Sequence, residues 1–228
     1  THSPTILGTL ELNYEQIASL EPDLILDVRS SGDEERYRRL SEIAPTIAVP
    51  EGKDNYLTST EEQVEMIAKA LGREKEGEKL LAKLDEAYAK AKENYPQFEG
   101  KTVTVGALSQ DGWGAYVSGD ARVDFMAKLG FTNKKEIEDQ ATGSYYVKLS
   151  DEQLEQLDAD LTIVLPIWVD TKEVSGNPLF QKIPSVADGR YVIIEGDYSN
   201  AFSAGTVPAI LWAIEKLPPI FDEALKGG

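Results

Sequence analysis

Residues 15–28 read EQIASLEPDLILDV, and residues 152–165 read EQLEQLDADLTIVL. The two agree at Glu15/Glu152, Gln16/Gln153, Leu20/Leu157, Asp23/Asp160 and Leu24/Leu161, with Ile17 matched by Leu154. In each copy apolar residues at helical spacing lead into a short apolar run, the pattern of a helix feeding a buried strand. The match continues downstream, where YRRLSEIAPTIAV at 37–49 pairs with FQKIPSVADGRYV at 180–192. Tyr37 then faces Phe180, Leu40 faces Ile183 and Ile43 faces Val186. A whole supersecondary unit is written twice, and the second copy carries a longer loop, containing Trp168, after its first strand. Alternation of helix and strand favours a parallel sheet covered by helices, and its repetition favours two lobes.

Local signals divide the chain further. Asn13 is a good N-cap, Pro22 closes the helix that follows it, and Pro45 ends a second helix with its face at Tyr37, Leu40 and Ile43. Between the copies, Thr60 can cap a helix through Val64, Ile67 and Leu71, and Gly72 interrupts it. Leu80, Leu84, Tyr88, Ala91 and Tyr95 then form one stripe up to Pro96. A helix from about Glu74 to Tyr95 would be roughly 30 Å long, enough to join two lobes as a strut. Beyond it KTVTVGAL reads as a strand, GWGAYVSG as a loop displaying Trp113 and Tyr116, and DARVDFMAKLG as a helix closed by Gly130. LSDEQLEQL and VPAILWAIEKL read as helices, LTIVLP and RYVIIE as strands.

Composition removes several classes of chemistry. The 228 residues carry 23 Lys and Arg against 40 Asp and Glu, a formal charge of −17 spread along the helices, which repels nucleic acid and anionic membrane surfaces. Cysteine is absent and the one histidine, His2, stands at the chain start, so thiolate or imidazole metal sites lack ligands and no EF-hand spacing supplies oxygen ones. No apolar run approaches the roughly 20 residues of a membrane helix, and no signal peptide is present. AFSAG at 201–205 follows a strand as a nucleophile elbow would, but a serine hydrolase built on Ser203 needs a later histidine. None follows, and a helix N-terminus made of small residues is the better reading. Asp158 and Asp160 belong to the repeated helix-to-strand turn rather than to an acid–base pair.

The aromatic residues carry the functional signal. Trp113, Tyr116, Tyr145, Tyr146, Trp168, Tyr198 and Phe202 fall in expected loops at strand ends or just before a helix, the edge at which open α/β sheets bind ligands. Trp212, in the final amphipathic helix, is assigned to the core. Arg29, just past the first strand, and Arg122, behind Asp120 at a helix start, share that edge. Arg36, Arg38 and Arg39 read as solvated or paired surface groups.

With these segments in order, LELNYEQIASLEPDLIL, YRRLSEIAPTIAV, SGDARVDFMAKLGF, LSDEQLEQLDADLTIV and NPLFQKIPSVADGRYVII, the chain resembles the ferric-siderophore substrate-binding proteins of ABC importers, and most closely those of Gram-positive bacteria. The resemblance spans essentially the whole sequence. It implies an α/β fold of two Rossmann-like lobes with helix-covered parallel sheets, residues 1–72 and 98–228, joined by one long helix over 73–97. It also implies that the first lobe lacks its opening strand and helix, and that a ligand is clamped between the lobes with little hinge motion. Arginines and aromatics line such clefts. By position Arg29 matches a basic residue after the PDLIL strand, and Arg122 the arginine that opens the helix ending in LGF. Tyr145 and Tyr146 precede the LSDEQL helix as an aromatic does in some members, while Trp168 and Tyr198 occupy strand-end loops. Hydroxamate binders can carry an arginine where this chain has Thr9 or Leu10.

The expected function is therefore non-enzymatic. The protein binds a ferric siderophore as a monomer, outside the cytoplasm as a surface lipoprotein or in the periplasm, and delivers it to an ABC permease. Acidic residues such as Glu42, Glu62 or Glu138 would dock that permease. The chelator already coordinates the iron, so neither a cofactor nor a direct metal ligand is expected. Guanidinium groups would meet its oxygens, and aromatic faces its organic shell. Two alternatives stand beside this reading: a haem or corrinoid receptor of the same fold, for which only tyrosine is well supplied as an axial ligand, and a hydrolase using Ser203.

Overall fold

A computed structural model of the protein describes residues 4–7 and 12–227; His2, Thr9 and Leu10 lie outside them. The chain begins with α1 (Tyr14–Ser19), β1 (Ile25–Leu26), α2 (Glu34–Ser41) and β2 (Thr46–Ile47). Asn13 caps α1 by accepting from the Gln16 amide at 3.0 Å, and Asp33 caps α2 by accepting from the Arg36 amide at 2.8 Å. β1 and β2 pair in parallel, Ile25 opposite Thr46, as helix and strand alternation predicts. This unit is thin, and Ile17, Val28, Leu40 and Ala44 are its buried apolar residues.

Next come α3 (Thr60–Ala70) and α4 (Glu74–Asn94). The cap of α3 is Ser59, one residue before the expected Thr60, and it closes a reciprocal box with Glu62: the Glu62 amide donates to Ser59 Oγ and the Ser59 amide to Glu62 Oε2. Gly72 sits at φ +64° between the two helices, a left-handed turn that glycine makes without strain. Gly77 lets α4 lie against α3, because a Cβ there would stand 2.7 Å from the Ala68 methyl. Gly77, Leu84, Tyr88 and Ala91 form the buried stripe of α4, while Leu80, which the periodicity assigns to it, is 37% exposed.

The remainder is β3 (Thr102–Ser109), β4 (Gly112–Tyr116), α5 (Ala121–Lys128), β5 (Thr132–Asn133), α6 (Lys135–Glu138), β6 (Tyr146–Leu149), β7 (Leu161–Pro166), α7 (Thr171–Ser175), α8 (Pro184–Ala187), β8 (Tyr191–Ile193), α9 (Gly196–Ala204), α10 (Val207–Lys216) and α11 (Pro218–Ala224). Its six-stranded sheet runs β6-β4-β3-β7-β8, with β5 beside the start of β3. β5, β3, β7 and β8 pair in parallel, whereas β4 runs the opposite way and joins β3 and β6 by antiparallel pairing. GWGAY is thus a strand and not the expected loop: β3 and β4 form a hairpin whose Gly112, at φ +99°, makes the tight turn. Trp113 is 4% exposed and stacks on Phe180, so it is packed rather than displayed. LSDEQLEQL, read as a helix, forms 3-10 turns over Asp151–Leu157.

Side chains alternate across this sheet. Val103, Val105, Ala107, Leu161, Ile163 and Leu165 face a core completed by α4, α5, α9, α10 and α11. Val164, Ala115 and Trp113 face a second core with Leu154, Leu157, Val174 and Phe180. The repeated turn is structural: Asp160 accepts from the Thr102 amide at 2.8 Å and Asp158 from the Ser185 amide at 2.8 Å. Among the described residues no helix is long and apolar enough to cross a membrane.

Candidate functional site

The site is built where the segment after β1 meets the loops before α5 and after α9. Asp27 leaves β1 and takes the Arg36 guanidinium, with Nε 2.9 Å from Oδ2, and the Ser30 hydroxyl at 2.9 Å. That bracing aims the next turn. The amides of Tyr56 and Asn55 donate to the carbonyls of Ser30 and Ser31 at 2.8 and 3.0 Å, and Arg29 Nε donates to the Tyr56 carbonyl at 3.1 Å. Gly32 adopts φ +76° in this turn, which glycine makes without strain, and a Cβ there would also displace the Asp54 carboxylate.

Arg29 then passes close to Gly205, where any Cβ would collide with Nη1. Burial disfavours its charge, Asp120 supports it and Arg122 opposes it. Among the described residues no carboxylate lies within ion-pair distance of Arg29, and its two terminal nitrogens have no protein acceptor. A half-buried guanidinium that has only the more distant charge of Asp120 and Asp124 to support it gains from an anion placed at its terminal nitrogens.

Arg122 is held differently. Its Nη1 donates to both Asp120 oxygens at 3.0 and 2.9 Å, its Nε to Ser203 Oγ at 3.0 Å, and its guanidinium lies 4.1 Å from the Tyr116 ring centre. Asp120, 2% exposed, is also the N-cap of α5. Only Nη2 is left without a protein acceptor among the described residues.

Tyrosines continue the surface. Tyr116 and Tyr146 are register partners across β4 and β6, with rings 5.1 Å apart, and Tyr145 lies 6.4 and 6.3 Å from them. Tyr56 reaches Tyr145 from the other side at 6.0 Å, edge to face. Burial pushes the Tyr116 and Tyr146 phenols up, so both stay protonated donors. The three tyrosines line a pocket of about 440 Å³ with Trp113, Lys148 and Trp168. Trp168 is 73% exposed and adopts φ +56°.

Of the residues singled out from the sequence, Trp113, Tyr116, Tyr145, Tyr146 and Trp168 line this pocket, and Arg122 reaches it through the Tyr116 ring. Arg29 lines a separate cavity with Ser59, Thr60, Glu61, Asp124 and Lys128, and is linked to the tyrosines through Tyr56, whose carbonyl it holds and whose ring meets Tyr145. Two join neither cavity. Phe202 is 2% exposed inside the core against Phe125 and Phe221, because it points inward from α9. Tyr198 packs 5.3 Å from Trp212 on another flank. Ser203 ends α9 instead of opening a helix, Gly205 at φ +64° turns the chain into α10, and the Ser203 hydroxyl is occupied by Arg122. The nucleophile-elbow reading has no geometry to support it. Glu62 and Glu138 are engaged internally, Glu62 in the α3 cap and Glu138 with the Ser118 amide and hydroxyl at 2.9 Å, while Glu42 pairs with Arg38 on the surface. Tyr56 and Lys148 were not singled out by sequence; the polar run GKDNY gives a turn signal and nothing about its ring.

Among the described residues no cluster of three potential metal ligands occurs. The "Periplasmic binding protein" family matches residues 2–198, and the chain belongs to that family. It is 31% identical over 205 residues to the Fe(3+)-citrate-binding protein YfmC of Bacillus subtilis (strain 168), covering 87% of this chain and 62% of YfmC. Among solved structures it resembles the iron uptake ABC transporter substrate-binding protein PiaA of Streptococcus pneumoniae TIGR4, with a TM-score of 0.79 and 28% identity over 95% of this chain and 76% of that one. PiaA has also been solved in complex with ferrichrome. Staphylococcus aureus SirA complexed with staphyloferrin B follows at a TM-score of 0.74 and 25% identity, covering 96% of this chain and 76% of SirA. The chain thus spans less than two thirds of the length of YfmC.

Proposed function

We propose that this protein binds a ferric siderophore between residues 1–72 and 98–228, with 73–97 as the connecting strut, and delivers it to the permease of an ABC importer. Arg29 carries the proposal: a half-buried guanidinium with no carboxylate at ion-pair distance among the described residues, linked through Tyr56 to the tier of tyrosines. A chelate with anionic oxygens supplies the missing charge, and its organic shell supplies apolar contact for Tyr116, Tyr145, Tyr146 and Trp168. The names of YfmC, PiaA with ferrichrome and SirA with staphyloferrin B support an iron complex as the ligand class. Delivery would take place outside the cytoplasm, with the protein acting as a monomer and held by a lipid anchor or free in a periplasm. Glu42 is the most accessible of the three carboxylates considered for docking the permease.

A ligand panel tests the proposal. Ferric citrate, ferrichrome, ferric staphyloferrin B and haem are titrated while tryptophan fluorescence and melting temperature are followed. Quenching and a raised melting temperature with at least one ferric chelate are expected. No response to any of them, or a response to haem alone, contradicts the proposal.

A further inference from the structure

Four non-glycine residues among those described have positive φ: Glu21, Asn55, Tyr56 and Trp168. Left-handed backbone is a genuine outlier for a bulky side chain and persists only where the surroundings impose it. Trp168 already borders the pocket, and Asn55 and Tyr56, at φ +56° and +63°, are consecutive. Two of the four, Tyr56 and Trp168, are aromatic: Trp168 lines the tyrosine pocket, and Tyr56 meets Tyr145 of that pocket edge to face.

The forces that impose Tyr56's conformation are visible. Its amide is fixed to Ser30, its carbonyl to Arg29, and the preceding amide to Ser31. The next residue, Leu57, packs onto Gly119, where a Cβ would stand 3.0 Å from Leu57 Cδ2. Three residues later the Thr60 hydroxyl donates to the Gly205 carbonyl at 2.8 Å. The segment is therefore tied both to the unit that carries Arg29 and to the loops that carry Arg122. Its one aromatic side chain, Tyr56, meets Tyr145 and belongs to neither main core. A core role does not account for a strained ring held there.

We infer that Tyr56 is a ligand-contacting, specificity-determining residue, the first unit's aromatic counterpart to Tyr145, and that its carbonyl also sets the orientation of Arg29. The inference rests on the ferric-chelate reading of the cleft. The Tyr56 ring presents a face to the organic shell of the chelate, so its contribution scales with how much shell there is. A compact hydroxycarboxylate complex gains less from it than a peptide-like chelate.

The test uses those members of the ferric citrate, ferrichrome and ferric staphyloferrin B set that wild type binds, titrated calorimetrically against Tyr56→Ala, Tyr56→Leu and Tyr56→Phe. Tyr56→Ala is expected to weaken binding about tenfold or more, and more for the chelate with the larger shell where two are bound. Tyr56→Leu, which keeps bulk and protects folding, should still lose several-fold, and Tyr56→Phe should recover most of the loss. If wild type binds none of the three, the functional reading fails and takes this inference with it. If wild type binds and the folded Ala and Leu variants stay within twofold, the functional reading stands and Tyr56 is overturned alone.

Discussion

The two units between which the ligand is proposed to bind are built by opposite means. Residues 98–227 place their tyrosines on a six-stranded sheet buried on both faces, with neighbours such as Phe180, Phe202 and Phe221 almost fully enclosed. The first unit has two short strands, and neither large core contains a fully buried residue before Leu84. It positions Arg29 with polar and backbone bonds: Asp27 to Arg36 and Ser30, and Tyr56 to Ser30 and Arg29. Packing thus fixes the aromatic wall, and hydrogen bonding fixes the cationic one. Changes in the two walls should separate stability from binding.

Phe202→Ala is the severest break in the packed wall. Removing a buried phenylalanine costs about 3–5 kcal/mol, which chemical denaturation should report as a lower midpoint. A loss of ligand affinity with stability intact would instead return Phe202 to the cleft. On the hydrogen-bonded wall, Asp27→Ala removes a carboxylate that is 10% exposed and leaves Arg36 without its partner. A stability loss of about 1–3 kcal/mol is expected, together with weakened chelate binding as the Arg29 turn loosens. Unchanged binding would show that the bracing does not orient Arg29. Trp168→Ala should leave stability within about 0.5 kcal/mol, as for other exposed positions, and should abolish most ligand-induced fluorescence quenching.

The smallest effect is one of pH. Asp124 accepts from the Gly119 amide at 2.9 Å, and its pKa is raised above 3.8, chiefly by burial. A raised folded pKa means that the folded state holds the proton more tightly than the unfolded chain does. The contribution of Asp124 to stability is therefore greatest below the unfolded value and falls as pH rises through the folded one. Asp124→Asn should gain on wild type in melting temperature across that rise and not below it. A constant difference at all pH values would contradict the assignment.

Much of this division was legible in the sequence. The repeated EQIASLEPDLIL phrase located a helix-to-strand step in each unit, because apolar periodicity, Asn13 and the prolines act locally. Positions just past the strands, Arg29 and Trp168, followed from the same logic. What failed depended on partners distant in sequence. GWGAY looked like a loop because its glycines hide a strand that only pairing with β3 and β6 makes visible. Phe202 looked loop-borne because burial depends on which face of α9 meets Phe125 and Phe221. Tyr56 was missed because its conformation is imposed by Ser30, Ser31 and Arg29 rather than by its own residue type.

In the proposed function Arg29 receives an anionic oxygen of the ligand. Arg29→Ala, compared with wild type by calorimetric titration of the ferric chelate that wild type binds most tightly, tests it most directly. Affinity reduced by about tenfold or more, at least 1.4 kcal/mol, is expected. Affinity within twofold of wild type, in a variant that folds, would contradict it.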